Sequence, residues 1–188
     1  MADHTLVIGG ARSGKSRHAE ALARATGLER VYVATAVAFD DEMRERVDLH
    51  RASRAEDGWT TLEEPEALLP ALRREARPGR IVLVDCATLW LTNVLLGAGR
   101  RAAEAASVEL AAGLPGLAGP AIIVSNEVGW GIVPDNKLAR DFRDAQGRLN
   151  QSLAGICRRV VLVAAGLPLV LKAGPTEGSP TPRRPAAP

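Results

Sequence analysis

The stretch GGARSGKS at residues 9–16 most constrains what this chain can fold into. It follows the apolar run 5–8, precedes a helical pattern at 15–26, and matches G-x-x-x-x-G-K-[ST], the phosphate-binding loop between a strand and a helix. In such a loop the glycines let the backbone approach phosphate closely, and the loop amides and helix N-terminus donate hydrogen bonds to it. Lys15 is then placed to reach the β- and γ-phosphates, and Ser16 to bind Mg²⁺. The motif predicts a nucleotide site.

Short apolar runs alternate with longer helical patterns along the rest of the chain. Continuous apolar runs are typical of strands buried on both faces of a parallel sheet. The strand candidates are 5–8, 31–34, 81–85, 121–125 and 160–164, with weaker ones at 60–62 and 169–172. The helix candidates are 15–26, 41–54, 65–76, 88–97, 101–113 and 135–158. The alternation predicts an α/β fold of the P-loop NTPase type, with a mostly parallel central sheet of about six to seven strands flanked by helices. Pro65 is expected at the first position of its helix.

Length, composition and charge exclude several classes of protein. The chain has 188 residues, a formal net charge of +2 and only 3% aromatic residues, a poor basis for binding nucleic acid. No apolar run approaches the roughly 18 residues of a spanning helix, so we expect no membrane insertion and a cytoplasmic location. Residues 1–172 are expected to form a single domain, and the Pro- and Gly-rich tail 173–188 is expected to be disordered.

Asp85 is a second candidate residue of the nucleotide site. It ends the apolar run 81–85, and ligands of open α/β sheets bind at the carboxyl ends of strands. An acid in this position can support Mg²⁺ directly or through water. The alternative is that Asp85 only caps the helix that follows. The position favours the metal role.

The stretch DDEMRERVDLHRAS at 40–53 leaves two interpretations of its histidine open. Helical periodicity places His50 and Arg54 on one face with apolar residues, and periodicity alone favours a buried structural histidine. However, Arg46, Arg51 and Arg54 lie within about a turn of it, and arginine binds two phosphate oxygens at once. A neutral imidazole beside bound phosphate can attack the α-phosphorus of a nucleotide and hold the nucleotidyl group covalently.

The phosphate loop alone is compatible with several functions. One is a small-molecule kinase in which His50 is structural, and another is a nucleotide-binding regulator. A switch GTPase is expected to carry Asn-Lys-x-Asp, and NKLA at 136–139 lacks the aspartate. The missing aspartate and the histidine–arginine helix count against the regulator.

Four longer segments resemble a known enzyme family, the bifunctional adenosylcobinamide kinase/adenosylcobinamide-phosphate guanylyltransferases. They are GGARSGKSRHAEALA at 9–23, ATAVAFDDEMRERVDLHR at 34–51, VDCATLWLTNVL at 84–95 and NEVGWGIVPDNKLARDFRDAQGRLNQSLA at 126–154. The resemblance extends over about residues 5–172. It implies a P-loop sheet domain assembled as a homotrimer.

The resemblance also implies two reactions on a corrinoid small molecule. The family phosphorylates the aminopropanol hydroxyl of adenosylcobinamide with ATP or GTP, and the phosphate-loop motif makes Lys15 the candidate catalytic residue of this step. It then transfers GMP from GTP to that phosphate through a GMP-histidine, for which His50 is the matching residue, giving adenosylcobinamide-GDP and pyrophosphate. The implied nucleotide-binding residues are Gly9, Gly10, Ala11, Arg12, Ser13, Gly14, Lys15, Ser16, Ala34, Thr35, Ala36, Arg51, Ala52, Ser53, Arg54, Glu63 and Asp85. Ser16, from the loop motif, and Asp85, from its place at a strand end, are the candidate ligands of Mg²⁺.

The segment NEVGWGIVP, which begins at Asn126, carries an aromatic residue between two glycines. Gly129 and Gly131 permit tight turns or close approach of the backbone to a ligand, and Trp130 is expected to be exposed. By analogy with the family, we expect this segment near the corrinoid site or at a subunit contact. The alternative is a tryptophan that merely fills the loop.

Overall fold

A seven-stranded sheet organises the residues that the computed structural model describes, which are 3–37, 54 and 56–174. The strands are β1 (Thr5–Gly9), β2 (Glu29–Ala34), β3 (Trp59–Glu63), β4 (Arg80–Asp85), β5 (Ala121–Asn126), β6 (Arg159–Ala164) and β7 (Leu167–Lys172). Their order in the sheet is β3-β2-β4-β5-β1-β6-β7. Only the β6–β7 pair is antiparallel. The predicted mostly parallel sheet is confirmed, including its two weaker strands.

Four of the helices in the described part of the chain cover the two faces of this sheet. They are α1 (Lys15–Ala25), α2 (Leu68–Glu75), α3 (Ala87–Gly113) and α4 (Lys137–Ile156). Leu6 and Ile123 of the central strands pack in one apolar cluster with α2, α3 and α4. The adjacent strand residues Val7 and Ile122 pack in a second cluster with α1. Because neighbouring strand residues point to opposite faces, the continuous apolar runs supply both layers of the core.

The prediction that Pro65 begins a helix is wrong. α2 begins at Leu68 after the N-cap residue Ala67. The carboxylate of Glu64 accepts hydrogen bonds from the backbone N–H groups of Glu66, at 3.2 Å, and Ala67, at 2.8 Å. This side-chain turn satisfies the donors before the helix and moves its start beyond the proline.

The helices predicted at 88–97 and 101–113 form one element, α3, which is interrupted at Gly99. Gly99 has φ 84° and ψ 176°, a conformation that glycine adopts at little cost. The interruption lies between the two predicted helices, so the predicted break is confirmed. The helix resumes directly after Gly99, and the two parts therefore form one element.

Two of the predictions fall on parts of the chain outside the described residues. The helix predicted at 41–54 does so except for Arg54, which is helical. The tail does so from residue 175 onwards. Within 3–37, 54 and 56–174, no helix is long and apolar enough to cross a membrane.

Candidate nucleotide site

The phosphate loop connects β1 to α1 as the motif predicts. α1 begins at Lys15, and its N-cap Gly14 has φ 92°, a left-handed conformation that favours glycine. The Lys15 side chain lies along the loop, where its Nζ donates to the carbonyl of Gly10 at 3.0 Å. A cavity of about 440 Å³ lined by residues 12–17 opens at this point. The lysine ammonium and the N-terminal amides of α1 therefore border one space that an anion can enter.

The loop packs tightly against the turn between β6 and β7. A Cβ atom on Gly9 would lie 2.4 Å from the carbonyl oxygen of Val163 and 2.6 Å from Ser13 Oγ, so a side chain does not fit. The backbone N–H of Gly166 donates to the Ser13 carbonyl at 2.9 Å. The Oγ of Ser13 is buried and has no hydrogen-bond partner within the described part of the chain. The Ser13 side chain is therefore packed inside the loop, against the end of β1.

The strand register brings candidate residues together at the carboxyl edge of the sheet. Ala34 at the end of β2 is paired with Glu63 of β3 on one side and with Asp85 of β4 on the other. The hydroxyl of Tyr32 donates to Asp85 Oδ2 at 2.5 Å. Burial, and then the negative charge of Asp85, raises the pKa of Tyr32, so its hydroxyl remains a donor. Asp85 is thus held at the edge where a nucleotide would bind.

The alternative that Asp85 caps the next helix is wrong. The N-cap of α3 is Cys86, and that helix end has no side-chain capping bond. Instead, the Asp85 carboxylate faces Tyr32 on the neighbouring strand. The position is therefore used to present a carboxylate at the sheet edge, not to begin a helix.

The residues present fit a magnesium ion that is shared with a nucleotide. Ser16 and Asp85 supply oxygen atoms, which Mg²⁺ prefers, and Mg²⁺ sites commonly combine one or two protein ligands with substrate phosphates. Tyr32 engages one oxygen of Asp85, so the other can bind a cation. In residues 3–37, 54 and 56–174, no group of three or more His, Cys, Asp or Glu side chains is placed to hold a metal ion. An ion at Ser16 and Asp85 would therefore take most of its ligands from phosphate and water.

Thr35 ties the loop after β2 to the loop after β4. It is fully buried, and its hydroxyl donates to the Cys86 carbonyl at 2.8 Å and accepts from the Cys86 N–H at 2.9 Å. Asn93 of α3 donates to the carbonyls of Thr35, at 2.8 Å, and Pro65, at 3.0 Å. The side chain of Thr35 is committed to these contacts, whereas the next residue, Ala36, is exposed. Their implied contacts with nucleotide stay predictions.

Arg54 is the one described residue of the implied histidine–arginine group. His50 and the residues 51–53 lie outside the described part of the chain. The guanidinium Cζ of Arg54 lies 3.9 Å from the ring centroid of Tyr32. The structure therefore brings Arg54 beside the tyrosine that binds Asp85, and the distance from His50 to the phosphate loop stays untested.

A buried polar network that the sequence analysis missed fixes the end of β5. Gln146 Nε2 donates to Ser125 Oγ at 2.8 Å and to Asn150 Oδ1 at 3.0 Å, and the Ser125 hydroxyl donates to the same Oδ1 at 2.6 Å. Asn150 Nδ2 donates to the carbonyl of Asn126 at 3.0 Å, and the N–H of Asn126 donates to Thr88 Oγ1 at 2.7 Å. The network joins β5, α3 and α4 next to the phosphate loop. The sequence contained a sign of this network, because two amide residues four positions apart interrupt the buried face of α4.

The segment after β5 is held in a defined shape and presents apolar side chains. Arg140 donates to the carbonyls of Pro134, at 2.9 Å, and Asp135, at 2.6 Å, and Asn136 caps α4. Trp130 is 73% exposed and Ile132 is 96% exposed. The prediction that Trp130 is exposed is confirmed, and the interpretation that it fills the loop is not supported.

The fold and the site define a P-loop protein that binds a nucleoside triphosphate. Two solved structures share this fold. The RadB recombinase has a TM-score of 0.52 at 15% identity, over 85% of this chain and 73% of that one. The flagellar accessory protein FlaH from Methanocaldococcus jannaschii has a TM-score of 0.50 at 13% identity, over 92% of this chain and 79% of that one.

Sequence comparison then identifies the family. Residues 5–171 match the family described as cobinamide kinase / cobinamide phosphate guanyltransferase, and the chain belongs to this family. The bifunctional adenosylcobalamin biosynthesis protein CobP of Pseudomonas aeruginosa is 50% identical over 90% of this chain and 98% of its own length. The corresponding protein CobU of Escherichia coli is 39% identical over 89% of this chain and 98% of its own length. The family predicted from the four segments is confirmed.

The packing of the phosphate loop predicts different effects at its first two glycines. Gly9→Ala introduces a Cβ against backbone, and overpacking of this kind costs about 2 kcal/mol, which lowers the Tm of a chain of this size by roughly 4–8 °C. Gly10→Ala is the matched control, because a Cβ there meets nothing within 4 Å. Thermal unfolding without nucleotide measures both. Equal Tm values for the two variants would contradict the packing described here.

Proposed function

We propose that this chain phosphorylates adenosylcobinamide with ATP or GTP and then transfers GMP from GTP to the product, through a GMP adduct of His50, to give adenosylcobinamide-GDP. The membership of the family and the names of the relatives support the two activities. The observation that carries the proposal is the phosphate loop with Lys15 at the start of α1, at the same edge of the sheet as Asp85. One nucleotide site then serves both reactions.

In the kinase step, the hydroxyl oxygen of adenosylcobinamide attacks the γ-phosphorus. The new O–P bond forms as the bond between the γ-phosphorus and the bridging oxygen breaks; the nucleoside diphosphate leaves with the electron pair and the hydroxyl proton passes to water. Lys15 compensates the charge that develops on the β- and γ-phosphates. Ser16 and Asp85 would hold a Mg²⁺ ion, which would further neutralise the phosphate oxygens.

In the guanylyl step, a neutral imidazole nitrogen of His50 attacks the α-phosphorus of GTP. The N–P bond forms while the bond to the oxygen that bridges the α- and β-phosphates breaks, and pyrophosphate leaves with the electron pair. A phosphate oxygen of the phosphorylated corrinoid then attacks the same phosphorus, the N–P bond breaks, and His50 is regenerated. Lys15 serves this step too, because it compensates the charge of the leaving pyrophosphate.

We also propose that the implied nucleotide contacts of the family apply to this chain. They are Gly9, Gly10, Ala11, Arg12, Ser13, Gly14, Lys15, Ser16, Ala34, Thr35, Ala36, Arg51, Ala52, Ser53, Arg54, Glu63 and Asp85. The cavity at residues 12–17 supports the contacts of the loop. The register of Ala34 with Glu63 and Asp85 supports those of the sheet edge.

We further propose a homotrimer and a corrinoid that lies near the segment after β5. The exposed Trp130 and Ile132 support an apolar partner there, either the corrinoid or another subunit. β7 supports self-assembly, because it is an edge strand with Leu167, Leu169 and Leu171 all exposed. An uncovered apolar edge strand is a site of association between chains.

The GMP-histidine is tested by incubating the protein with Mg²⁺ and α-labelled GTP and then denaturing it. We expect a covalent label that is labile in acid and stable in base, as a phosphoramidate is, together with release of pyrophosphate. His50→Ala should lose the label. His18→Ala is the matched control, since His18 lies in α1 close behind the phosphate loop. Equal labelling of wild type and His50→Ala would refute the assignment and favour a kinase with a structural His50.

The two steps should respond differently to substitution of Lys15 and His50. Lys15→Ala should lose most kinase activity, by about 10²-fold or more, because the phosphates of the transferring group lose their positive partner. His50→Ala should retain kinase activity while guanylyl transfer is lost. Separate assays of adenosylcobinamide phosphate formation and of its guanylylation measure this. Loss of kinase activity in a folded His50→Ala protein would show that the steps are not separable in this way.

If the trimer assembles through β7, charged substitutions in this strand should lower the mass of the assembly in solution. The wild-type chain should sediment at three times the mass of one chain, and Leu169→Lys with Leu171→Lys should sediment as a monomer, because charges then stand in the apolar contact. Leu138→Lys, at a similarly exposed leucine on α4, is the control and should remain trimeric. A monomeric wild type, or a doubly substituted protein that remains a trimer, would contradict the proposal.

A further inference from the structure

The chain contains a single tyrosine, Tyr32, and two functional candidates meet on it. Its hydroxyl donates to Asp85 Oδ2 at 2.5 Å. Its ring lies under the guanidinium of Arg54, with Cζ 3.9 Å from the ring centroid. Asp85 is a proposed magnesium ligand, and Arg54 follows His50 by four residues. One buried side chain therefore contacts the metal side of the site with its hydroxyl and the end of the histidine segment with its ring.

The hydroxyl contact restrains the carboxylate. An O–H···O⁻ bond of this length is charge-assisted and is stronger than a bond between neutral groups. It engages one oxygen of Asp85 and thereby sets the direction of the other. Mg²⁺ requires nearly ideal octahedral geometry, so the orientation of a carboxylate ligand affects its affinity.

The ring contact restrains the arginine without using its hydrogen-bond donors. Stacking engages the face of a guanidinium and uses none of its N–H groups, which lie in the plane. The Nε of Arg54 is buried and has no hydrogen-bond partner within the described residues. Trp59 packs against the same tyrosine in an edge-to-face arrangement, with centroids 5.9 Å apart, which holds the ring in place.

We propose that Tyr32 is a positioning residue for both steps of the reaction. Its hydroxyl orients Asp85 for the magnesium–nucleotide complex. Its ring orients the guanidinium of Arg54, a proposed nucleotide contact, for guanylyl transfer. The second role rests on the proposed GMP-histidine, whereas the first requires only that the loop binds nucleotide with Mg²⁺. If Tyr32 only filled the core, removal of its hydroxyl would leave the binding of the magnesium–nucleotide complex unchanged. Experiment can therefore distinguish a packing role from a positioning role.

The first test removes the hydroxyl and keeps the ring. The affinity of GTP for Tyr32→Phe is measured by calorimetry with Mg²⁺ and with EDTA. We expect about a tenfold loss of affinity with Mg²⁺ and no change in EDTA, as is typical when a partner of a metal ligand is removed. Ser107→Ala is the matched control, because it also loses one hydroxyl hydrogen bond, to the Ala103 carbonyl in α3, far along the chain from the site. An unchanged Mg²⁺ effect in Tyr32→Phe would overturn the hydroxyl role.

The second test measures whether the ring and Arg54 act together. The rate of covalent labelling from α-labelled GTP at saturating nucleotide is compared for four proteins that all lack the hydroxyl: Tyr32→Phe as the reference, Tyr32→Leu, Tyr32→Phe with Arg54→Gln, and the double variant Tyr32→Leu with Arg54→Gln. If the ring acts through Arg54, loss of the ring and loss of the guanidinium each slow labelling about tenfold relative to the reference, and the double variant is little slower than either. Losses that multiply would overturn the ring role. Absence of label in the wild type would refute the GMP-histidine instead, and the Mg²⁺ test on Tyr32→Phe would still decide the hydroxyl role.

Discussion

The parallel register of the central strands is the constraint on which the site depends. It aligns the ends of β3, β2 and β4, so that Glu63, Ala34 and Asp85 form one row, and it aligns Gly9 of β1 with Asn126 of β5. A slip of one residue would turn each side chain to the opposite face of the sheet. The register is stabilised by apolar packing on both faces, because every central strand contributes to both clusters. The packing of the core therefore determines where the polar residues at the edge of the sheet are placed.

Buried hydrogen bonds then hold the loops that leave this edge. A buried polar group without a partner costs free energy comparable to a lost hydrogen bond, so a satisfied network favours one arrangement of its loops. Thr35 and Cys86 exchange two such bonds between the loops after β2 and β4. A bond from Gln146 Nε2 to Ser125 Oγ joins α4 to β5. The site is built on rigid connections, and the groups that would meet a ligand lie at their surface.

Local patterns in the sequence predicted most of the fold and the position of the phosphate loop. The apolar runs of the strands and the motif of the loop are short-range features. Each depends only on the burial or the backbone conformation of the residues that form it. The start of α2 was missed because it depends on the carboxylate of Glu64, a contact that overrides the preference of Pro65. The contact between Tyr32 and Asp85 joins residues 53 positions apart, and no spacing rule reveals it. A polar hydroxyl inside the apolar run VYVA was the one local sign that this position needed a partner.

A single phosphate loop can serve two reactions because the two reactions break different bonds of one nucleotide. Attack at the γ-phosphorus and attack at the α-phosphorus both leave negative charge on the β-phosphate, either in a diphosphate or in pyrophosphate. A cation and amides directed at the β-phosphate therefore stabilise both leaving groups, and Lys15 at the start of α1 is placed for this. What must differ is the direction from which the nucleophile arrives. In the proposed mechanism the acceptor hydroxyl has to reach the γ-phosphate, whereas His50 has to reach the α-phosphate. The segments around the loop then determine which nucleophile attacks in each step. The loop itself stabilises the leaving group in both steps.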